Sequence, residues 1–385
     1  MKGAMALALS ILGVLPVFAA WAAESLPFKL DSRPVQAEIQ RFRGEGRDRL
    51  AYEILLANFH AKPLRFTSLQ IRLMMEGREV FSEEVRGPAL AERFSAVQEN
   101  YHQPQNPVLP PGGAGVFFLW VDLPEKAGKV DAVRTSFRVE EQGRPETAMT
   151  LEGPTVSVSS QAPREIAPPL RGERWWTPNG PGNGSIHRRI LVPLSGQLYA
   201  PERYAVDWIK LGEDGKNYAG DPKSNASYHA YGQEILSAAA GRVVAVKDGI
   251  PENVPNAKAM AVAIDLETIG GNYVIVDIGG GLYAFYAHLQ PGKIRVKPGD
   301  AVAAGQVLGL LGNSGNSTEP HLHFHLIDRP DPLRGQGQPF ALTRFTLVRG
   351  AVKLDANEDP VGIVAKGKEV VQGQSYMNLE LVDFD

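Results

Sequence analysis

The chain has no cysteine among its 385 residues. That excludes disulfides, thiolate zinc sites and a Cys nucleophile, and leaves histidine and carboxylate as the main metal ligands. Lys and Arg form no basic block. A formal net charge of -3 and a pI near 6.3 argue against a dedicated nucleic-acid binder. Histidine is scarce: there are eight, and six fall between His187 and His325. Apolar runs of spanning length are absent beyond the N-terminus. There Lys2 precedes residues 4–20, which are almost wholly apolar, and Ala20-Trp21-Ala22 offers small residues where a signal peptidase reads. Residues 1–22 are therefore expected to be a signal peptide and the mature chain to be exported. A periplasm is the first expectation for its location and secretion the second. No Cys follows to accept a lipid, so membrane contact is expected only through the signal segment.

The length suffices for two domains, each with its own core. Residues 26–158 read as all-β. Leu69-Gln70-Ile71-Arg72-Leu73 alternates, and residues 116–121 form a continuous apolar strand opened by Pro110-Pro111-Gly112-Gly113 and closed by Pro124. Short strands between Gly/Pro turns predict an immunoglobulin-like β-sandwich. Residues 91–98 read as one short helix. His60 and His102 stand alone and read as surface or turn residues. Residues 159–184 read as a linker, because Pro163, Pro168, Pro169, Pro178 and Pro181 interrupt regular structure. Trp175-Trp176 within it reads as a hydrophobic clasp between domains. From 185 to 347 the β pattern returns, including a Gly/Val-rich hairpin over residues 293–311. Residues 348–385 carry three short apolar runs and read as a C-terminal β extension.

The chemistry concentrates in His321-Leu322-His323-Phe324-His325. Alternate side chains on a strand share a face, so three imidazoles line one side while Leu322 and Phe324 enter a core. Imidazoles held in a row suit a metal site or proton transfer.

Four segments in order resemble the lysostaphin/LytM-type zinc metallopeptidases, which cleave peptide cross-links in bacterial cell walls. They are Arg203-Tyr204-Ala205-Val206-Asp207, Ala238-Ala239-Ala240-Gly241-Arg242-Val243, Tyr286-Ala287-His288-Leu289, and Gly312-Asn313-Ser314-Gly315-Asn316-Ser317 running into Pro320-His321-Leu322-His323-Phe324. The resemblance covers roughly residues 204–326. It implies a LytM-type antiparallel sheet over residues 185–347 and a single zinc ion as cofactor. Asp207 and His323 would be zinc ligands, and His288 and His321 the unligated pair that orients water and stabilises the oxyanion.

One position departs from the resemblance. The first zinc-ligand His, four residues before Asp207, is here Arg203. On one strand with Asp207 its guanidinium would share a face with the carboxylate and would repel a metal or neutralise Asp207. His187, His229 and His325 are the available replacements. In exported chains that share the exchange the resemblance implies a His upstream, so His187 is the first choice. Two functions follow. The leading one is an exported zinc metalloendopeptidase acting on peptide bonds, with peptidoglycan cross-links as substrate. The other is a metal-free homologue that binds cell-wall peptides or partners a cell-wall hydrolase.

Overall fold

The computed structural model describes residues 28–97, 105–125 and 128–385. The expected signal peptide and His102 lie outside the described residues. Nearly every regular element is a β-strand.

The N-terminal domain is a two-sheet sandwich. One sheet centres on Arg47–Asn58 paired antiparallel with Ala114–Asp122, and the other on Leu64–Met75 paired with Ala132–Glu141. Leu50, Tyr52, Ile54, Leu56, Phe117 and Leu119 face Phe66, Leu69, Ile71 and Phe137 in the sandwich core. Period two sends the alternate residues of the first sheet outward. Apart from Arg49 and Glu53 the buried ones are also apolar, because a second buried surface waits there. Ala51 packs on Tyr204 and Met377, while Val116 and Phe118 pack on Leu191 and Ala200 of the second domain. The continuous apolar run over residues 116–121 is thus a strand buried on both faces.

The helix expected over residues 91–98 lies earlier, at Gly87–Glu92, and residues Phe94–Ala96 form a strand. Pro88 presets the first helical turn. Phe94, fully buried in the sandwich core, needs the extended backbone that pairs it with Phe117.

The second domain is built on one eleven-stranded sheet. Its order runs Ala301–Val302, Gly241–Lys247, Asn272–Asp277, Tyr283–Leu289, Leu322–Ile327, Val206–Lys210, Gly172–Asn179, Leu381–Phe384, Phe345–Leu354, Pro360–Val371, with Gly337–Gln338 beside Leu322–Ile327. Two sequence expectations are corrected here. Residues 159–184 are not a simple linker, because Gly172–Asn179 is an interior strand of this sheet. Pro178 is tolerated because it sits at the register shift between Trp176 and Asn179. Trp175 and Trp176 do not clasp the two domains. They fall on opposite faces of that strand, Trp175 in the main core of the second domain and Trp176 against Ile209, Leu211 and Leu381. The last strands continue the same sheet, and Phe345–Leu354 spans the boundary expected at 347/348. Among the described residues no helix is long and apolar enough to cross a membrane.

Candidate metal and catalytic centre

Three adjacent strands set the site. Asn179, Asp207 and His323 are successive cross-strand partners, and Ala287 follows on the next strand. Leu322 and Phe324 point the opposite way into the main core. The row therefore presents Asp207 and His323 side by side, with His321 and His325 two residues either way along one strand. Asp207 Oδ1 lies 3.0 Å from His323 Nδ1 and 3.5 Å from His321 Nε2.

His187 reaches the same carboxylate from outside the sheet. It sits on the single helical turn Ile186–Arg189, with Nε2 3.3 Å from Asp207 Oδ2. Among the described residues, His187, Asp207 and His323 form the cluster whose donor atoms all lie within 4.8 Å of one another. Two ligands on a tetrahedral zinc, each about 2.0–2.1 Å from it, stand roughly 3.3 Å apart. The spacings at Asp207 are of that size.

Second partners decide which ring nitrogen is free. His187 Nδ1 is 2.9 Å from the carbonyl of Asn179, which can only accept, so Nδ1 carries a proton. In a neutral ring that leaves the Nε2 lone pair facing a carboxylate oxygen. Two acceptors so placed require a cation between them or a proton on His187. The donor set thus fits a metal, and zinc accepts this combination of two His and one carboxylate. Asn179 Nδ2 also donates to Asp207 Oδ2 at 3.1 Å. His323 Nε2 is 3.0 Å from His325 Nδ1, a contact that commits the distal nitrogen and leaves Nδ1 toward Asp207.

His288 and His321 form a second pair, ring centroids 4.8 Å apart. His288 Nδ1 donates to the Ser314 carbonyl at 2.8 Å and His321 Nδ1 to the Glu319 carbonyl at 2.8 Å. Both rings therefore keep Nε2 as a lone pair when neutral. His288 holds φ at 65°, a left-handed conformation unusual for a residue with a Cβ. Gly271, at φ +59°, allows the Ser314 backbone to approach where a Cβ would stand.

The charges follow from this packing. Burial opposes a charge on His187, yet the Asp207 carboxylate overrides it and lifts the pKa to about 9. Burial pushes Asp207 up, but the imidazoles of His187 and His321 hold it well below the usual carboxylate range. Burial drives His288 well below its ordinary value, helped by His321 and His323. Burial also lowers His321, and it drives His325 well down. These residues line a cleft of about 490 Å³ whose apolar walls include Ile186, Ile190, Pro193, Phe285 and Leu333.

Arg203 is not where the strand argument puts it. It lies in the turn before Val206–Lys210, and its guanidinium is turned away to Glu53 of the sandwich, 2.6 Å from Oε2. It forms no ion pair with Asp207. His229 is brought near Gly212 and outside the cleft. His325 contacts His323 rather than Asp207. Asn179 and Glu319 were not singled out from the sequence: Glu319 acts through its backbone carbonyl, and Asn179 through its carbonyl and its side-chain amide.

Residues 226–336 match the profile of peptidase family M23. The chain carries an M23 peptidase domain. His288, His321 and His323 lie inside the matched residues, while His187, Arg203 and Asp207 precede them. Over 63 residues the chain is 48% identical to the peptidoglycan DD-endopeptidase ShyA of Vibrio cholerae, covering 16% of this chain and 14% of ShyA. Over 126 residues it is 31% identical to the glycyl-glycine endopeptidase ALE-1 of Staphylococcus capitis, covering 32% of each. The chain thus spans at most about a third of the length of these two relatives. It also aligns, at 24% identity and a TM-score of 0.21, with the catalytic domain of lysostaphin from Staphylococcus simulans, covering 33% of this chain and 86% of that domain.

Proposed function

We propose that this chain is an exported zinc metalloendopeptidase that hydrolyses peptide bonds in peptidoglycan cross-links. The observation that carries the reading is the convergence of His187 Nε2, Asp207 and His323 Nδ1, with the distal nitrogen of His187 committed to a carbonyl and that of His323 to His325. These three would hold the zinc, which when bound polarises a carbonyl and makes a water acidic. His288 and His321 supply the proton chemistry. A neutral Nε2 of the pair can accept the proton of the attacking water, and the imidazolium so formed can donate a hydrogen bond to the oxyanion. The same proton then passes to the leaving amine as the C–N bond breaks and the oxyanion returns to a carbonyl. The apolar walls beside His187 would receive the side chains of an extended peptide.

The substrate class rests on the relatives. ShyA is named a peptidoglycan DD-endopeptidase and ALE-1 a glycyl-glycine endopeptidase. Export rests on the reading of residues 1–22. The metal-free reading drew on Arg203 facing Asp207, and the Arg203–Glu53 ion pair removes that premise. The test is to purify the mature chain without a His tag, measure bound zinc, and incubate it with cross-linked muropeptides with and without chelator. One zinc per chain and chelator-sensitive cleavage are expected. Absence of both would sink the peptidase reading.

A further inference from the structure

His187 is on no sheet strand. Its element is a single turn, Ile186–Arg189, too short to persist alone. What holds that turn is the other domain. Arg188 is fully buried in an ion pair with Glu53, and its Nη2 donates to the carbonyls of Tyr52 and Leu119 at 2.9 and 3.1 Å. Arg189 donates to Ser95 Oγ at 3.1 Å and to the Glu92 carbonyl, and its guanidinium stands 4.4 Å from the Phe118 ring centre. Leu191 packs against Val116 and Phe118. Residues 188, 189 and 191 thus look into the sandwich, while His187 looks at Asp207.

Glu53 has a second duty. Its carboxylate also takes Arg203, whose Nε lies 2.9 and 3.0 Å from the two oxygens and whose Nη2 lies 2.6 Å from Oε2. Arg203 precedes Asp207 by four residues. One buried carboxylate therefore ties down both the turn bearing His187 and the approach to the Asp207 strand. The two guanidinium groups carry one more charge than Glu53 neutralises. Carbonyls of Tyr52, Leu119 and Gly337, and the side-chain oxygens of Gln36 and Gln336, take other donors of the two groups, while Arg188 Nε is buried without a hydrogen-bond partner among the described residues.

We propose that the sandwich domain completes the metal centre, with Glu53 anchoring, through Arg188, the turn that supplies His187. This rests on the metal-centre reading above. Glu53 touches neither the cleft nor its contents, so it is a positioning residue. The second domain on its own strands offers Asp207 and His323, and the third donor arrives only when the sandwich is docked.

The experiment uses the full mature chain. Zinc affinity is measured by competition with a chromogenic chelator, and the cobalt-loaded protein is followed by its visible d–d spectrum. Glu53→Gln and Arg189→Gln are each expected to weaken zinc binding about 10–100-fold and to shift the cobalt spectrum toward that of His187→Ala. Adding Glu53→Gln to His187→Ala is expected to cost no further affinity, because both changes remove the same donor. Phe137→Leu, a destabilising change in the sandwich core, is expected to lower the melting temperature and leave zinc affinity unchanged. Should Glu53→Gln not fold, Arg189→Gln carries the test, since it removes a charge instead of stranding two. Wild-type zinc affinity and cobalt spectrum in the folded variants would overturn this proposal while leaving the peptidase reading intact. A wild-type chain that binds no zinc would overturn both.

Discussion

Asp207 and His323 are direct cross-strand partners, and their facing atoms, Oδ1 and Nδ1, are 3.0 Å apart. The sheet register alone places two of the three proposed zinc ligands side by side, with His187 closing the cluster from the side. Asp207→Asn and His323→Ala are each expected to abolish stoichiometric zinc, read by metal analysis after gel filtration, while His187→Ala is expected to bind zinc about 10–100-fold more weakly through the two donors that remain. Asn179→Ala removes only a hydrogen bond to the carboxylate and is expected to weaken zinc binding about 10–100-fold.

His288 combines a proposed catalytic imidazole with a strained backbone at φ 65°. His288→Ala and His321→Ala are expected to retain zinc while the cleavage rate falls about 10²–10⁴-fold. His288→Gly should be as inactive as His288→Ala but more stable than it by about 1 kcal/mol, because glycine accepts the left-handed conformation without cost to a Cβ. Chemical denaturation of the two variants provides the check, and equal stability would show that the strain is not relieved there.

Metal-free protein should be most stable near pH 6.5. Asp207 lifts His187 to about 9, so its contribution is complete below about 6.5 and is lost as pH rises through about 9. Below about 6.5 the opposite occurs at His288, His321 and His325. Burial holds all three below their ordinary value, so the unfolded chain takes up protons there that the folded chain refuses. The Asp207 contribution is present above the ordinary carboxylate range and is lost as pH falls below that range toward its depressed pKa. Melting temperature measured in chelator from pH 5 to pH 9.5 should trace this maximum, and a monotonic rise across the range would contradict it.

Glu53 is fully buried between Arg188 and Arg203. Glu53→Ala strands two buried guanidinium groups and is expected to cost about 3–5 kcal/mol. Replacing all three residues together with Leu and Met of similar volume should recover most of that loss, since no charge is then left without a partner. Denaturant melts of the single and triple variants measure the difference.

The strand of alternating histidines was legible because period two is a local property: His321, His323 and His325 share a face, while Leu322 and Phe324 fill a core, whatever surrounds them. The interior strand at Gly172–Asn179 was not, because its proline is accommodated by a register shift that only the neighbouring strand creates. Glu53 left a trace, a lone carboxylate in the run Leu50-Ala51-Tyr52-Glu53-Ile54-Leu55-Leu56, but no local rule names its partners 135 and 150 residues away.

The sequence by itself determined the all-β class, the histidine row, the M23 resemblance and the absence of a histidine at position 203. It also left three histidines as candidates for the third ligand. Only the tertiary structure brings His187 beside Asp207 and His323 and turns Arg203 away from them. Arg203 and the neighbour of His187, Arg188, both pair with the buried carboxylate of Glu53 in the other domain. Such long-range electrostatic pairing follows from how the domains pack, which periodicity and spacing do not record.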